Sequence, residues 1–285
     1  MALNDVVVVD HGDDGSGELA AAMGTVALRN PGNPGFGAGQ NRGVAATNSP
    51  YVLLVNPDAT VDPAGIAAWI GILDERPDVA AVQGVIVNDT TGRPERSSGV
   101  ALRPVHLLGR ALGARRLLGL RVIRRLARRA PGLTDHVERR PAGAIEVESL
   151  AATAILVRRS AFDAVEGFDE SYFLYGEDLD LCHRLRAGGW RLVALPVEWA
   201  HHASGASSSG WWDREVVWWE GTLRYAARWW SRTDWMVAQA AVILRLLPML
   251  AARPSRAPEL LALLIRGPRN VRRARCARSV PERGK

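Results

Sequence analysis

Val6-Val-Val-Val9-Asp10-His11-Gly12-Asp13-Asp14-Gly15-Ser16 is an unbroken β-branched run that stops in an acidic, glycine-rich turn. Four valines without polar alternation describe a strand buried on both faces, as in a parallel sheet. A helix-forming segment from about Gly17 to Met23 and a second short run, Val26-Ala-Leu28, complete a βαβ order. Ligands of such sheets gather at the carboxyl ends of the strands, where Asp10 stands. Its carboxylate suits a loop or helix cap as well as it suits a hydrogen bond to the base or ribose of a nucleotide.

The rhythm continues outward. Asn30-Pro-Gly-Asn-Pro-Gly35-Phe36-Gly37-Ala-Gly39-Gln40-Asn41-Arg42-Gly43 lacks the Gly-Lys-Ser/Thr ending of a P-loop and the spacing of a dinucleotide fingerprint. Its glycines serve either close approach to a ligand or tight turns. A helix over Gln40–Thr47 and a buried strand at Tyr51–Val55 lead to Asn56-Pro57-Asp58. Oxygen-bearing side chains two residues apart suit a hard divalent cation that keeps waters and binds substrate phosphates. Asp62 before Pro63 reads instead as the N-cap of a helix over Ala64–Leu73, ahead of a strand at Val79–Val87.

Downstream, Ile145–Val157 is strand-like and Ser160–Val165 a short helix. Gly167-Phe-Asp169-Glu170 then leads into Phe173-Leu-Tyr-Gly-Glu177-Asp178-Leu-Asp180-Leu-Cys-His-Arg-Leu-Arg186. Carboxylates in a first helical turn gain from unpaired N–H groups and the helix dipole, so Glu177 and Asp178 can be caps. An acid pair beside aromatics is also a place for a general base, though on these residues alone capping comes first. Gly188-Gly189 ends this helix, Trp190–Leu195 reads as a strand stopping at Pro196, and Val197–His201 reaches His201-His202. Adjacent side chains there diverge, and one imidazole is a candidate to join Asp58 on a metal.

The chain's net charge of +6 is unevenly spread. Residues 96–134 hold ten arginines and no acid, and residues 253–285 hold nine arginines and Lys285 against two glutamates. The first block has a basic amphipathic pattern, a solvated insertion or a platform for anionic lipid headgroups. Seven tryptophans in residues 211–235 exceed what a small core readily absorbs, which suggests a partner, an interfacial belt or an acceptor groove. Packing between subunits, in a homo-oligomer, competes with reversible attachment to an anionic membrane face. Two cysteines are too few for a disulfide framework and fit a reducing, cytoplasmic compartment, while the Trp-rich helices and basic tail suit a peripheral place at the inner face of the cell membrane. No apolar run reaches spanning length, and no nucleic-acid-binding motif appears.

Taken in order, these motifs resemble glycosyltransferase family 2, and within it bacterial rhamnosyltransferases of cell-envelope polysaccharide synthesis. The resemblance runs from about Val6 to His202. It rests on Val-Val-Val-Val-Asp10 with Asp14-Gly-Ser, on Asn33-Pro-Gly-Phe-Gly-Ala-Gly-Gln-Asn41-Arg-Gly43 and on Asn56-Pro-Asp58. Val157-Arg-Arg159, Gly167-Phe-Asp-Glu170, Tyr175-Gly-Glu-Asp178-Leu-Asp180-Leu and His201 extend it. The resemblance implies a GT-A fold: a Rossmann-like α/β nucleotide-binding sheet with a mixed acceptor-side region over residues 1–205. A Trp-rich helical and basic extension follows over 206–285. The family's first strand and helix have no counterpart before Val6, which implies an exposed sheet edge.

It further implies inverting, single-displacement sugar transfer that needs Mg²⁺ or Mn²⁺. Asp10, Asp14, Gly37, Asn41 and Asn56 would line the donor site. Asp58 and His201 would hold the metal, Asp178 would be the base and Glu177 would shape its surroundings. The donor implied is dTDP-L-rhamnose or another nucleotide-sugar, and the acceptor a saccharide, polyprenyl-diphosphate-linked or soluble. A catalytically weak sugar-nucleotide-binding or assembly protein on the same fold is the alternative from another class.

Overall fold

The computed structural model describes residues 5–12, 14–95, 97–113, 143–203, 211–252, 254–258 and 261. Most of both arginine blocks, and Cys276, lie outside the described residues. In chain order the elements are β1 (Val7–Asp10), α1 (Ser16–Ala22), β2 (Val26–Arg29), α2 (Phe36–Ala45), β3 (Tyr51–Val55), β4 (Ala59–Val61), α3 (Pro63–Glu75) and β5 (Val79–Asn88). Next come β6 (Arg93–Pro94), β7 (Ser98–Gly99), α4 (Pro104–Ala111), β8 (Ile145–Val147), β9 (Ser149–Leu150), β10 (Ala154–Arg158) and α5 (Arg159–Ala164). The series ends with α6 (Glu177–Ala187), β11 (Arg191–His202), α7 (Trp211–Trp229) and α8 (Arg232–Ala252), before a 3-10 turn at Pro254–Arg256.

These elements form two compact units. One comprises Met1–Ala101 and Asp135–Ser208, the other Leu102–Thr134 and Ser209–Lys285. α4, from the basic segment that the sequence places as an insertion of the sheet domain, therefore groups with the carboxyl-terminal helices.

In the first unit β1 and β2 pair in parallel, Val7 opposite Val26 and Asp10 opposite Arg29, as a two-stranded sheet. A larger sheet runs β3-β10-β5-β11-β4, with β6 on β5 and β8 on β11. Its β5–β11 pair is parallel, while β3–β10, β10–β5 and β11–β4 are antiparallel. Among the described residues no strand joins β1 to β3. Val7, Val8 and Val9 are accordingly only half-buried, not covered on both faces as their sequence predicts, because β1 has one sheet neighbour.

The rings of Trp69 on α3 and Trp199 on β11 lie 4.0 Å apart in a core with Leu73, Val82 and Val193. Arg158 closes one end of this layer. Its Nε donates to the Val79 carbonyl at 3.0 Å, and its Nη2 donates to those of Leu73 at 2.5 Å and Arg76 at 3.1 Å. Those carbonyls include helix-end acceptors that have no intrahelical donor. Arg159 similarly donates to the carbonyls of Ser49 and Val44. The Val157-Arg-Arg159 motif thus holds backbone together.

β11 is one strand across Pro196 rather than two. Its register with β5 shifts between Ala194 and Glu198 and again between Glu198 and Ala200. Bulges of this kind absorb a residue that has no N–H to donate.

In the second unit α4, α7 and α8 share a core of Leu107, Trp219, Leu223, Ala238, Val242 and Leu246. Trp219 is fully buried, and Trp218, Trp230 and Trp235 pack against this core. Four of the seven tryptophans are therefore structural rather than a surface belt. At its centre the buried Glu215 accepts from Arg110 at 2.7 Å, Arg245 at 3.0 Å and Trp219 Nε1 at 3.2 Å. One carboxylate thereby ties three helices.

Candidate active site

Two left-handed residues, Tyr175 (φ 66°) and Gly176 (φ 89°), turn the chain into α6. A non-glycine residue there is uncommon and costs backbone strain. The turn leaves Glu177 buried, with its Oε2 lacking a protein hydrogen-bond partner. The N-cap of α6 is Gly176, with no side-chain cap bond, so Glu177 does not cap the helix. Asp178 is half-buried, and its Oδ1 accepts from the Leu179 N–H at 2.8 Å.

Burial, and then the adjacent Asp178 charge, push the Glu177 carboxyl up to about 8. Burial also raises Asp178, against the pull of backbone bonds that include one to Ala152. Neighbouring carboxyls in one dry site hold a shared proton. At neutral pH Glu177, raised in part by the adjacent Asp178 charge, keeps its proton. Asp180 is occupied elsewhere: fully buried, it meets Arg184 Nε at 2.6 Å, and Arg184 Nη1 donates to the Val165 carbonyl.

The Asn56-Pro-Asp58 turn between β3 and β4 meets the same neighbour. Asn56 N–H donates to the Thr153 carbonyl at 2.9 Å, one residue from the Ala152 backbone that contacts Asp178. The link between β9 and β10 therefore braces both motifs. Asp58 Oδ1 lies 3.1 Å from His202 Nε2, while His202 Nδ1 lies 3.0 Å from Glu95 Oε2. Asn88 donates to the other Glu95 oxygen at 2.9 Å. His201 lies 3.1 Å from Asp89 and is exposed. The structure thus brings His202, and not His201, to Asp58. Successive strand side chains point to opposite faces, and the bulges in β11 set the phase, which spacing alone does not reveal. Glu95 is the residue that sequence reading missed, and no local motif marks it.

A cation implied by the family resemblance finds a sparse protein set here. Among the described residues no group of three or more His, Cys, Asp or Glu is arranged to hold a metal. Asp58 stands with His202, and the buried Asn56 Oδ1 has no protein hydrogen-bond partner. One carboxylate with few neighbours fits Mg²⁺ or Mn²⁺ that takes its remaining ligands from phosphate and water.

Asp10 is buried, accepts from the Gly12 N–H at 2.9 Å and lies 3.7 Å from Arg29. Asp14 is exposed and accepts from Ser16 N–H at 3.0 Å and Ser16 Oγ at 2.6 Å, bonds that hold its carboxyl below the usual range. A Cβ at Gly12 would meet Asp10 Oδ1 at 3.7 Å and the Asp14 carboxyl carbon at 3.9 Å, so both acids flank one spot.

The glycine-rich segment departs from its sequence reading. α2 begins at Phe36, within the glycines, and Phe36 N–H donates to the Phe173 carbonyl at 2.8 Å. Gly35 has φ 113°, and a Cβ there would meet the Phe173 backbone at 2.5 Å. Asn41 Nδ2 donates to the Phe168 carbonyl at 2.9 Å and to Glu170 at 3.0 Å, while its Oδ1 accepts from Phe168 N–H at 2.9 Å. A Cβ at Gly37 would lie 2.9 Å from Phe168 Cβ. Gly37 and Asn41 therefore brace the loop before α6, because their polar and steric capacity is spent on it. Asn41→Ala is expected to lower stability by about 2 kcal/mol in urea unfolding, from the loss of three part-buried or exposed hydrogen bonds. Unchanged stability with weakened donor binding would return Asn41 to the donor site.

The model of the family described as "Glycosyltransferase like family 2" matches residues 1–231. An N-acetylglucosaminyl-diphospho-decaprenol L-rhamnosyltransferase of Mycobacterium tuberculosis is 30% identical over 69% of this chain and 69% of its own. Rhamnosyltransferase WbbL of Escherichia coli is 40% identical over a shorter stretch, 29% of this chain and 31% of its own. Among solved structures, GalNAc-T7 with UDP, GalNAc and Mn²⁺ superposes with a TM-score of 0.55 at 12% identity. That match covers 92% of this chain and half of the other, and it shows a shared GT-A-type fold. Motif order, fold and family match agree: the chain belongs to the family 2 glycosyltransferases.

Proposed function

We propose that this glycosyltransferase moves L-rhamnose from dTDP-L-rhamnose to a hydroxyl of a lipid-linked cell-envelope saccharide. The observation that carries this reading is the Glu177–Asp178 pair at the start of α6, braced through Ala152–Thr153 to the Asn56–Asp58 turn. The sugar and acceptor class are supported by the kinship with the mycobacterial and E. coli rhamnosyltransferases. The Mn²⁺ of GalNAc-T7 belongs to that protein; here Asp58, its neighbour His202 and Asn56 Oδ1 supply the fitting oxygens and nitrogen.

Asp178 accepts the proton of the acceptor hydroxyl as that oxygen bonds to the anomeric carbon from the face opposite the leaving group. The bond from that carbon to the diphosphate breaks, and the nucleoside diphosphate departs with the electron pair. A protonated Glu177 leaves Asp178 as the only negative carboxylate of the pair, positioned to accept the proton. Asp10, beside Arg29, would accept from donor hydroxyl or base N–H groups. When bound, a divalent cation at Asp58 would neutralise charge that develops on the diphosphate. Glu95 and Asn88 fix the orientation of His202 toward Asp58.

Two measurements bear on this reading. Incubation with a lipid-linked saccharide acceptor, a nucleotide-sugar panel and Mn²⁺ is expected to release dTDP from dTDP-L-rhamnose as the sugar passes to the acceptor hydroxyl. Release of inorganic pyrophosphate instead would identify a nucleotidyltransferase and overturn it. His202→Ala is expected to weaken Mn²⁺ binding, followed by electron paramagnetic resonance, by about 10–100-fold, whereas His201→Ala leaves it unchanged. The reverse order would return the metal role to His201.

A further inference from the structure

The outer face of α8 stands apart from the rest of the helical unit. Ala238, Ala241, Val242 and Leu246 of this helix are fully buried, and Arg245 turns inward to Glu215. On the opposite side Met236 is 61% exposed, Ile243 40%, Leu244 45% and Leu247 56%. With the exposed Ala240 they recur at intervals of three and four residues, which sets them on one stripe about 100° wide. The stripe carries no charged side chain; the charges within α8 are Arg232 and Asp234 in its first turn and the inward Arg245. A helix apolar on both sides is ordinarily covered on both.

Charge identifies the cover. Residues 102–134 and 209–285, which make up this unit, contain by sequence 24 Lys and Arg against 6 Asp and Glu, a net of +18. The other unit holds the remaining 12 and 24, a net of −12. A second copy of the helical unit would bring a like net charge, which disfavours self-association of the unit. Anionic lipid headgroups complement it. Among the described residues no helix is long and apolar enough to cross a membrane. An apolar stripe set in a strongly basic unit fits a helix lying in the bilayer interface.

We propose that the second unit is a membrane-docking module. The stripe Met236–Ala240–Ile243–Leu244–Leu247 enters the acyl boundary of an anionic leaflet, to which the unit's net positive charge draws it. This rests on the proposed function only in that docking would bring a lipid-linked acceptor within reach. The test contains neither donor nor acceptor, so the two readings fail separately.

The full chain is sedimented with vesicles of phosphatidylcholine containing about one-third phosphatidylglycerol, and with phosphatidylcholine alone. Binding is expected on the anionic vesicles only, and weakened at high salt. The double variant Leu244→Glu with Leu247→Glu, and the uncharged Leu244→Gln with Leu247→Gln, are each expected to weaken it by about tenfold or more at low salt. Circular dichroism is expected to show helix content unchanged, as the positions are exposed. Failure of the wild type to bind, or equal binding to neutral vesicles, would overturn the proposal. So would double variants that bind as the wild type does, which would leave the arginines alone responsible. A wild-type oligomer that light scattering shows to fall apart in the variants would assign the stripe to protein contact instead.

Discussion

Asp178→Asn is expected to reduce sugar transfer by about 10²–10⁴-fold, the usual contribution of a positioned general base. Donor binding should persist, because the Asn56–Asp58 turn and Asp10 are untouched. Glu177→Gln separates the two acids. The amide imitates the protonated carboxyl that burial enforces, so turnover at neutral pH should stay within a few-fold of wild type. The pH profile gives a second reading. Activity should rise as Asp178 loses its proton and fall as Glu177, pushed up to about 8, loses its own and puts a second charge in the site. Glu177→Gln should remove that alkaline limb.

Linkage sets the sign for stability as well. The folded state retains a proton on Glu177 that the unfolded chain releases near the ordinary value of 4.5, so stability falls as pH rises from there to about 8. Glu177→Gln should flatten that slope. If Glu177→Gln is inactive and Asp178→Asn active, the two roles are exchanged.

Glu215→Ala is expected to destabilise the helical unit by about 3 kcal/mol, the low end for breaking a buried ion pair. The low end applies because the Arg110 and Arg245 side chains, 40% and 31% exposed, keep access to water after the carboxylate is gone. Arg110 also lies 4.0 Å over the Trp218 ring, a contact that the mutation leaves in place. Burial raises the Glu215 carboxyl, but the two guanidiniums outweigh it and hold it below the usual carboxylate range. Its stabilisation is therefore complete above the unfolded value and is lost as pH falls through the lower folded value. Seven of the ten tryptophans lie in this unit, so their fluorescence during urea unfolding reports it directly. An unchanged midpoint at neutral pH would mean that the three-helix tie contributes nothing.

Local pattern carried much of this fold. Tyr51–Val55 is a strand with the bounds its apolar run predicts, and α6 starts where the acid pair follows Gly176. Partners distant in sequence explain what local pattern missed. Asn41 looks like a donor ligand in a glycine-rich stretch, yet its acceptors and its one donor are on Phe168 and Glu170, 127 and 129 residues away. Arg158 and Arg159 belong to a motif that extends the family resemblance, and their carbonyl partners come from α3, β5 and the α2–β3 link, out of reach of local pattern. The choice between His201 and His202 depends on a strand phase set by bulges around Pro196. The tryptophans looked too many for a core because the packing of α4 onto α7 and α8 is a tertiary fact.

The most direct test of sugar transfer is mass spectrometry of lipid-linked saccharides after incubation with the full chain, Mn²⁺ and dTDP-L-rhamnose. The expected result is an acceptor heavier by one deoxyhexose, absent with Asp178→Asn. Donor bound and acceptor present, but no mass added by the wild type with any nucleotide-sugar, would contradict the enzyme reading and leave a sugar-nucleotide-binding protein on this fold.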